Sequence, residues 1–244
     1  MRRRFFVDRF DSNSAVLHGD SADHLGRVLR AERGQYYELS DGERVWLARI
    51  ERVALAHGGR SRVEFSLVES VPASGPRLRV DLLLSIVKFD RFEWCLEKAT
   101  ELGTTSIVPI AAARTDKSLI AAASKRQKRW KRILLESAQQ ARRLTPPALH
   151  DVFTPQMAFT KFSAPLKILF SERREAVPLR EALQAQSAGG ASVLAIGPEG
   201  GWTEADITAA RLAGFAEASL GENILRTETA VLAALAIIGF ALGS

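Results

Sequence analysis

Apolar and polar positions are arranged differently in the two parts of the chain, and the change of pattern is the first clue to its organisation. Up to about residue 70, short runs of β-formers alternate with turn residues: Arg4 to Phe10, Ala15 to His18, Gln35 to Leu39, Arg44 to Val53 and Arg62 to Val68 read as strands. Asp41-Gly42, between two of these runs, is a hairpin turn signal. One helix interrupts the series, opening near the cap candidates Asp20 and Ser21, keeping Leu25, Val28 and Leu29 on one face, and ending at Gly34. The pattern predicts a small β-barrel with one helix over residues 1–72.

Pro72-Ala-Ser-Gly-Pro76 is the Pro/Gly/Ser cluster between the two halves, and the domain boundary is expected there. Beyond it the apolar runs are continuous, at Leu78 to Val87, Ser106 to Ile110, Leu166 to Phe170, Ser192 to Ile196 and Phe215 to Leu220, as expected of strands covered on both faces. Helices separate them. The first has Asp90 and Glu93 at capping-box spacing, apolar Phe92, Cys95, Leu96 and Ala99, and Gly103 as its stop. The second runs from about Ser124 to Leu144, before Pro146-Pro147. The third opens with Thr203 and Asp206, again at cap spacing, and the last runs from about Glu228 to the end. Alternating strands and helices predict an α/β domain with a largely parallel sheet over residues 77–244.

Composition adds little until it is resolved along the chain. The hydrophobic fraction of 46% and charged fraction of 25% are those of an ordinary globular protein. The apolar stretch from Ala230 to Leu242 is shorter than the roughly 20 residues that span a bilayer, and the basic Met1-Arg2-Arg3-Arg4 is not followed by an apolar signal core, so a cytoplasmic protein is expected. Cys95 is alone, and His18, His24, His57 and His150 have no metal-ligand spacing; no metal site is expected. The net charge of +6 is uneven: basic against acidic residues number 12 to 11 over 1–76, 15 to 7 over 77–150 and 7 to 10 over 151–244.

The excess concentrates on one helix. Lys125, Arg126, Lys128, Arg129, Lys131, Arg132, Arg142 and Arg143 face a single acid, Glu136, and such a self-repelling run is most economically explained by a polyanionic partner. Trp130, inside the run, either stacks on a base or packs in the core. Two loops carry the other candidate chemistry. Ile196-Gly-Pro-Glu-Gly-Gly-Trp202 leaves a strand and enters a capped helix, where glycines let backbone approach a ligand. It matches neither common phosphate-loop spacing, and Glu199 would repel a phosphate, so a neutral or cationic ligand fits better; the sulfonium of S-adenosylmethionine is one such cation. Leu220-Gly-Glu-Asn-Ile-Leu-Arg226 leaves the next strand and enters the last helix through Thr227, Glu228 and Thr229. Either loop alone reads as a plain turn; if their strands are neighbours, the two loops lie side by side and make a shared pocket. No Gly-x-Ser-x-Gly elbow supports a hydrolase.

In Glu97-Lys-Ala-Thr-Glu-Leu-Gly103, Glu136 to Pro147, Ile196-Gly-Pro-Glu-Gly-Gly201 and Leu220-Gly-Glu-Asn-Ile-Leu-Arg-Thr-Glu-Thr-Ala230, the chain closely resembles the bacterial 16S rRNA uridine-N3 methyltransferase family of the SPOUT superfamily. Asp23-His-Leu-Gly-Arg-Val-Leu-Arg30, with Gly34 and Asp41-Gly42, is similar to that family's RNA-binding domain. One departure is local: Gln140-Ala-Arg-Arg143 stands where the family usually has Gln-Ser-Gly-Arg.

The resemblance implies a PUA-like β-barrel followed by a SPOUT domain with a C-terminal trefoil knot, a homodimer, and S-adenosylmethionine as cofactor. It implies a cofactor site built from Leu169, Phe170, Ser171 and Glu172, from Ile196, Gly197, Pro198, Glu199, Gly200, Gly201 and Trp202, and from Leu220, Gly221, Ile224, Leu225, Arg226 and Ala230. Uracil N3 is a poor nucleophile until it loses its proton, and the charge then spreads over N3, O2 and O4. Arg143 and Arg226 are the candidates for stabilising that anion, and Glu199 for accepting the proton or orienting the base. Arg27, Arg30, Lys125, Arg126, Lys128, Arg129, Arg132, Arg142 and Arg143 are the expected contacts to 16S rRNA in the small subunit. Two alternatives stay open, a non-catalytic RNA-binding or ribosome-assembly protein and a SPOUT enzyme with another RNA target.

Overall fold

The computed structural model describes residues 3–56, 58, 60–73, 75, 77–185 and 190–243. Met1, Arg2, His57, Ser74 and Pro76, which entered the reading of the sequence, lie outside the described residues. The chain divides into two compact units, Met1–Gly75 with Ala138–Pro146, and Pro76–Ser137 with Pro147–Ser244.

In the first unit, β1 (Arg4–Phe6), β2 (Ser14–His18), β3 (Tyr36–Ser40), β4 (Val45–Ala54) and β5 (Arg62–Val71) form one mixed sheet in the order β1-β3-β4-β5-β2. Only the β1–β3 pair is parallel. Alternation fixes the inward face: along β5, Val63, Phe65 and Leu67 are buried with Phe5, Leu17, Leu39 and Ile50. The hairpin between β3 and β4 turns through Gly42, whose φ of +94° a side chain would strain. The expected helix is shorter and differently wound. Helix α1 (Gly19–Asp23) opens without a side-chain cap and passes into a wider π-turn over His24–Val28. The Leu29 N–H reaches back five residues to the His24 carbonyl, and this underwinding rotates Val28 out of the apolar face to 64% exposure while Leu25 stays buried.

In the second unit, β6 (Arg79–Ser85), β7 (Ser106–Ile110), β8 (Ala148–Leu149), β9 (Leu166–Phe170), β10 (Val177–Pro178), β11 (Ala191–Ile196) and β12 (Ala216–Ser219) form an all-parallel sheet in the order β10-β12-β9-β11-β6-β7-β8. One face packs on α2 (Phe89–Glu101), α3 (Lys117–Gln140), α5 (Leu179–Ala185) and α7 (Thr227–Leu242). The other packs on α4 (Pro155–Lys161) and α6 (Glu204–Leu212). Burial on both sides is why these strands are uninterrupted apolar runs.

The helix starts separate real caps from apparent ones. At α6, Thr203 and Asp206 make the reciprocal capping box. At α2, Lys88 is the N-cap residue without a side-chain bond, so the Asp90/Glu93 box is not formed. Glu93 turns instead toward α3, where its carboxylate accepts from Arg129 Nε at 2.7 Å and Arg126 Nη1 at 3.3 Å. Helix α3 begins seven residues before the expected Ser124, because Asp116 accepts the Ser118 N–H at 2.8 Å and supplies the cap. Trp130 is fully buried against Phe92, at 4.7 Å between ring centres, so it belongs to the core and does not stack on a base. Among the described residues no helix is long and apolar enough to cross a membrane, and no group of three or more His, Cys, Asp or Glu is placed to hold a metal ion.

Candidate cofactor site

Parallel strands deliver all their following loops to one edge of a sheet, and ligands in open α/β sheets gather at that edge. In the second unit, the loops leaving β12, β9, β11, β6 and β7, five neighbouring strands, enclose a cavity of about 520 Å³. That volume lies in the range of small-molecule and cofactor sites. The two loops singled out in the sequence do not follow neighbouring strands, since β9 stands between β11 and β12; the loop after β9 supplies the third wall.

The loops are tied to each other strand by strand. The Trp202 indole N–H donates to the Phe170 carbonyl at 3.0 Å, and the Ser171 N–H to the Ala218 carbonyl at 3.0 Å. Thr227, buried at the start of α7, approaches the Gly197 carbonyl through Oγ1 at 3.3 Å. The Gly201 N–H closes a turn on the Pro198 carbonyl at 2.8 Å. Gly197 has little room for a side chain: a Cβ there would stand 3.0 Å from Trp202 Nε1 and 3.1 Å from Cε2, so the indole would have to give by a few tenths of an ångström. The cavity wall at this point is therefore bare backbone pressed on an indole.

Of the expected cofactor residues, Phe170, Ser171, Glu172, Ile196, Gly197, Pro198, Glu199, Gly201, Trp202, Leu220, Gly221, Ile224, Leu225, Arg226 and Ala230 line the cavity. Leu169 points to the opposite face of the sheet, in the core with Trp202 and Phe215. The Gly200 carbonyl accepts from Arg114 Nη1 at 2.8 Å. Six further lining residues escaped the sequence reading: Lys88, Arg91, Arg114, Arg173, Asn223 and Thr227. Asn223 and Thr227 lie inside or next to the loop already singled out. The other four come from strand neighbours or loop flanks with no marked spacing, and only the strand order brings them in.

Two of the basic groups on the wall, Arg91 and Arg173, are ion-paired. Glu199 is ion-paired with Arg91 on α2, which also faces Glu228 at 3.8 Å. Arg173 is engaged by Glu175 at 3.4 Å, Glu204 at 3.2 Å and Glu217 at 3.9 Å. Arg226, the N-cap residue of α7, is exposed at the cavity. Cys95 is buried on α2, and desolvation with the nearby Glu228 charge pushes its thiol up to about 12, which removes it as a nucleophile. Arg143 belongs to the first unit, in the turn that ends α3, where burial pushes its guanidinium down to about 10 and leaves it cationic at neutral pH.

The expected RNA contacts occupy both units. Arg27 donates to Asp23 at 2.7 Å and to the Ala56 carbonyl at 2.9 Å, and Arg30 is exposed at a φ of +50°. On α3, Lys125, Lys128 and Lys131 are exposed, Arg126 and Arg129 hold Glu93, and Arg132 holds Glu136 at 2.8 Å. Arg142 follows the helix with a φ of +52°.

The sequence model of the RNA methyltransferase domain family matches residues 74–239. The ribosomal RNA small subunit methyltransferase E of Synechocystis sp. is 34% identical over 235 residues, covering 95% of this chain and 73% of that one. The Mycobacterium tuberculosis protein of the same name is 28% identical over 244 residues, covering 96% and 90%. A crystal structure of the Neisseria gonorrhoeae ribosomal RNA small subunit methyltransferase E bound to S-adenosyl methionine superposes with a TM-score of 0.85 at 31% identity, covering 100% of this chain and 99% of that one.

Proposed function

We propose, from the premise that this chain belongs to the ribosomal RNA small subunit methyltransferase E family, that it transfers a methyl group from S-adenosylmethionine to N3 of a uridine in 16S rRNA of the small subunit. The observation that carries the reading is the cavity closed by the loops after β9, β11 and β12. Its residues fit the donor: Phe170, Ile196, Leu220 and Leu225 offer apolar wall for a nucleoside, and Gly197 and Gly201 bring backbone groups to the surface. Glu172 and Glu199 add the negative charge a sulfonium needs.

S-adenosylmethionine supplies an electrophilic methyl group. The protein's part is to hold the uracil ring, take up or accommodate its N3 proton, and stabilise the anion left on O2 and O4. Arg226, exposed at the cavity, and Arg143 are the donors for that anion; guanidinium groups keep their charge and can address two acceptors at once. Glu199 is the candidate proton acceptor or base-orienting group. Arg91 pairs with its Oε1 in the present geometry.

The exposed lysines of α3, with Arg126, Arg129, Arg132 and Arg142, and Arg27 and Arg30 on the first unit, bind rRNA phosphates in this reading, and the target base is displaced from its stack to reach the cavity. The finer fold terms follow the same premise: a PUA-like barrel over residues 1–72, a SPOUT domain over 77–244 with a C-terminal trefoil knot, a homodimer, and action in the cytoplasm. Transfer of a labelled methyl group to isolated small subunits, with the product nucleoside identified, tests the proposal. Labelled 3-methyluridine supports it, label in any other nucleoside moves the target, and absence of both S-adenosylmethionine binding and transfer defeats it.

A further inference from the structure

In the first unit, a buried set of charges surrounds Glu38. Glu38 on β3 is 8% exposed and Arg4 on β1 is 9% exposed. The Arg4 guanidinium donates to Glu38 Oε2 from Nε at 3.1 Å and from Nη2 at 2.9 Å. The other carboxylate oxygen, Oε1, faces Arg142 Nη1 at 3.7 Å. Two residues on, at the end of the same strand, the Ser40 hydroxyl donates to the Leu144 carbonyl at 2.8 Å and accepts the Gly42 N–H at 3.1 Å.

Residues 38 and 40 share one face of a strand, and here they grip Arg142 and Leu144, the two neighbours of Arg143. The turn between them closes the end of α3: Arg142 takes a left-handed φ of +52°, its N–H bonds the Gln139 carbonyl at 3.4 Å, and the Arg143 N–H bonds the Ala138 carbonyl at 3.0 Å. Arg4 alone occupies one oxygen of Glu38 twice over; the second oxygen is directed at the turn.

We infer that Glu38 and Ser40 are positioning residues for methyl transfer, a clamp on both sides of Arg143 that sets where its guanidinium points. The inference rests on the reading of Arg143 as a donor to the uracil anion. It gives the first unit a part in the rate of the reaction as well as in holding RNA. The cofactor cavity is lined by second-unit residues, so a loosened clamp leaves cofactor binding intact while turnover falls. A displacement of about 1 Å at such a group is enough to lose about 10²-fold in rate.

The test measures kcat, KM for small subunits and S-adenosylmethionine affinity for the full chain and for three variants, Ser40→Ala, the double variant Arg4→Met/Glu38→Leu, and Arg143→Gln. The double change removes both halves of the buried pair together, so no lone buried charge remains to unfold the barrel. Expected is a kcat lower by about 10²-fold in the double variant and about tenfold in Ser40→Ala, with KM and cofactor affinity within about twofold of wild type. If the double variant does not fold, Ser40→Ala decides by the same split. Wild-type kcat in the clamp variants beside an inactive Arg143→Gln overturns the positioning role and leaves the Arg143 reading standing. So does a raised subunit KM at unchanged kcat. Wild-type turnover by Arg143→Gln overturns the Arg143 reading itself, and the clamp's role with it.

Discussion

Gly197 is where a single methyl group has the clearest consequence. Its missing side chain lets the indole of Trp202 lie on the chain while bonding the Phe170 carbonyl, so one ring holds two loops of the cavity together. Gly197→Ala forces the ring away or breaks that bond, an overpacking cost of about 1–3 kcal/mol. Isothermal titration should show S-adenosylmethionine affinity lowered on the order of tenfold, with circular dichroism unchanged. Glu199 poses a chemical question. If its carboxylate takes the N3 proton, Glu199→Gln lowers kcat by about 10²-fold; full turnover by that variant removes the proton-acceptor role and leaves Glu199 as the partner of Arg91.

At the scale of elements, equal spacings in the sequence have unequal fates. Thr203-x-x-Asp206 and Asp90-x-x-Glu93 both offer a polar residue followed by an acid three positions later, yet only the first closes a capping box. The second fails because Arg126 and Arg129 draw Glu93 into the interface with α3, a long-range pairing that no local pattern announces. Thr203→Ala should therefore destabilise the second unit by about 1 kcal/mol, read as a lowered thermal midpoint or denaturant midpoint. The strands β7 and β9 were legible to the residue, since burial on both faces writes itself as an unbroken apolar run. The π-turn at His24–Val28 was not, because a helix that seats Leu25 in the core of the sheet answers to long-range packing and not to local spacing. For the cavity, the two glycine-bearing loops were visible as spacing after a strand. Arg91 and Arg114 were hidden, because they reach the site only through the lateral order of β11, β6 and β7, which is fixed by strand pairing.

Over the whole molecule, the uneven charge noticed in the sequence resolves into used and unused groups. Part of the basic excess on α3 is spent on Glu93 and Glu136, whereas Lys125, Lys128 and Lys131 stand exposed. If these three meet rRNA phosphates, replacing them together with alanine should flatten the dependence of log affinity for small subunits on log salt by about 1 per lysine. A filter-binding series over increasing salt measures the slope, and a slope equal to wild type places the RNA on another surface.

The grouping of Ala138–Pro146 with Met1–Gly75 has a consequence for the order in which the chain is made. A ribosome releases the N-terminal strands early, but the stretch that completes their unit emerges only after α2, β7 and most of α3 have been translated. Until then the nascent sheet carries Glu38 with one oxygen still waiting for Arg142, and the unit's last piece arrives as the tail of a helix begun in the other. A fragment cut at the proline-rich junction would be released in that unfinished state, so a design that moves this module to another protein must bring the distant turn with it.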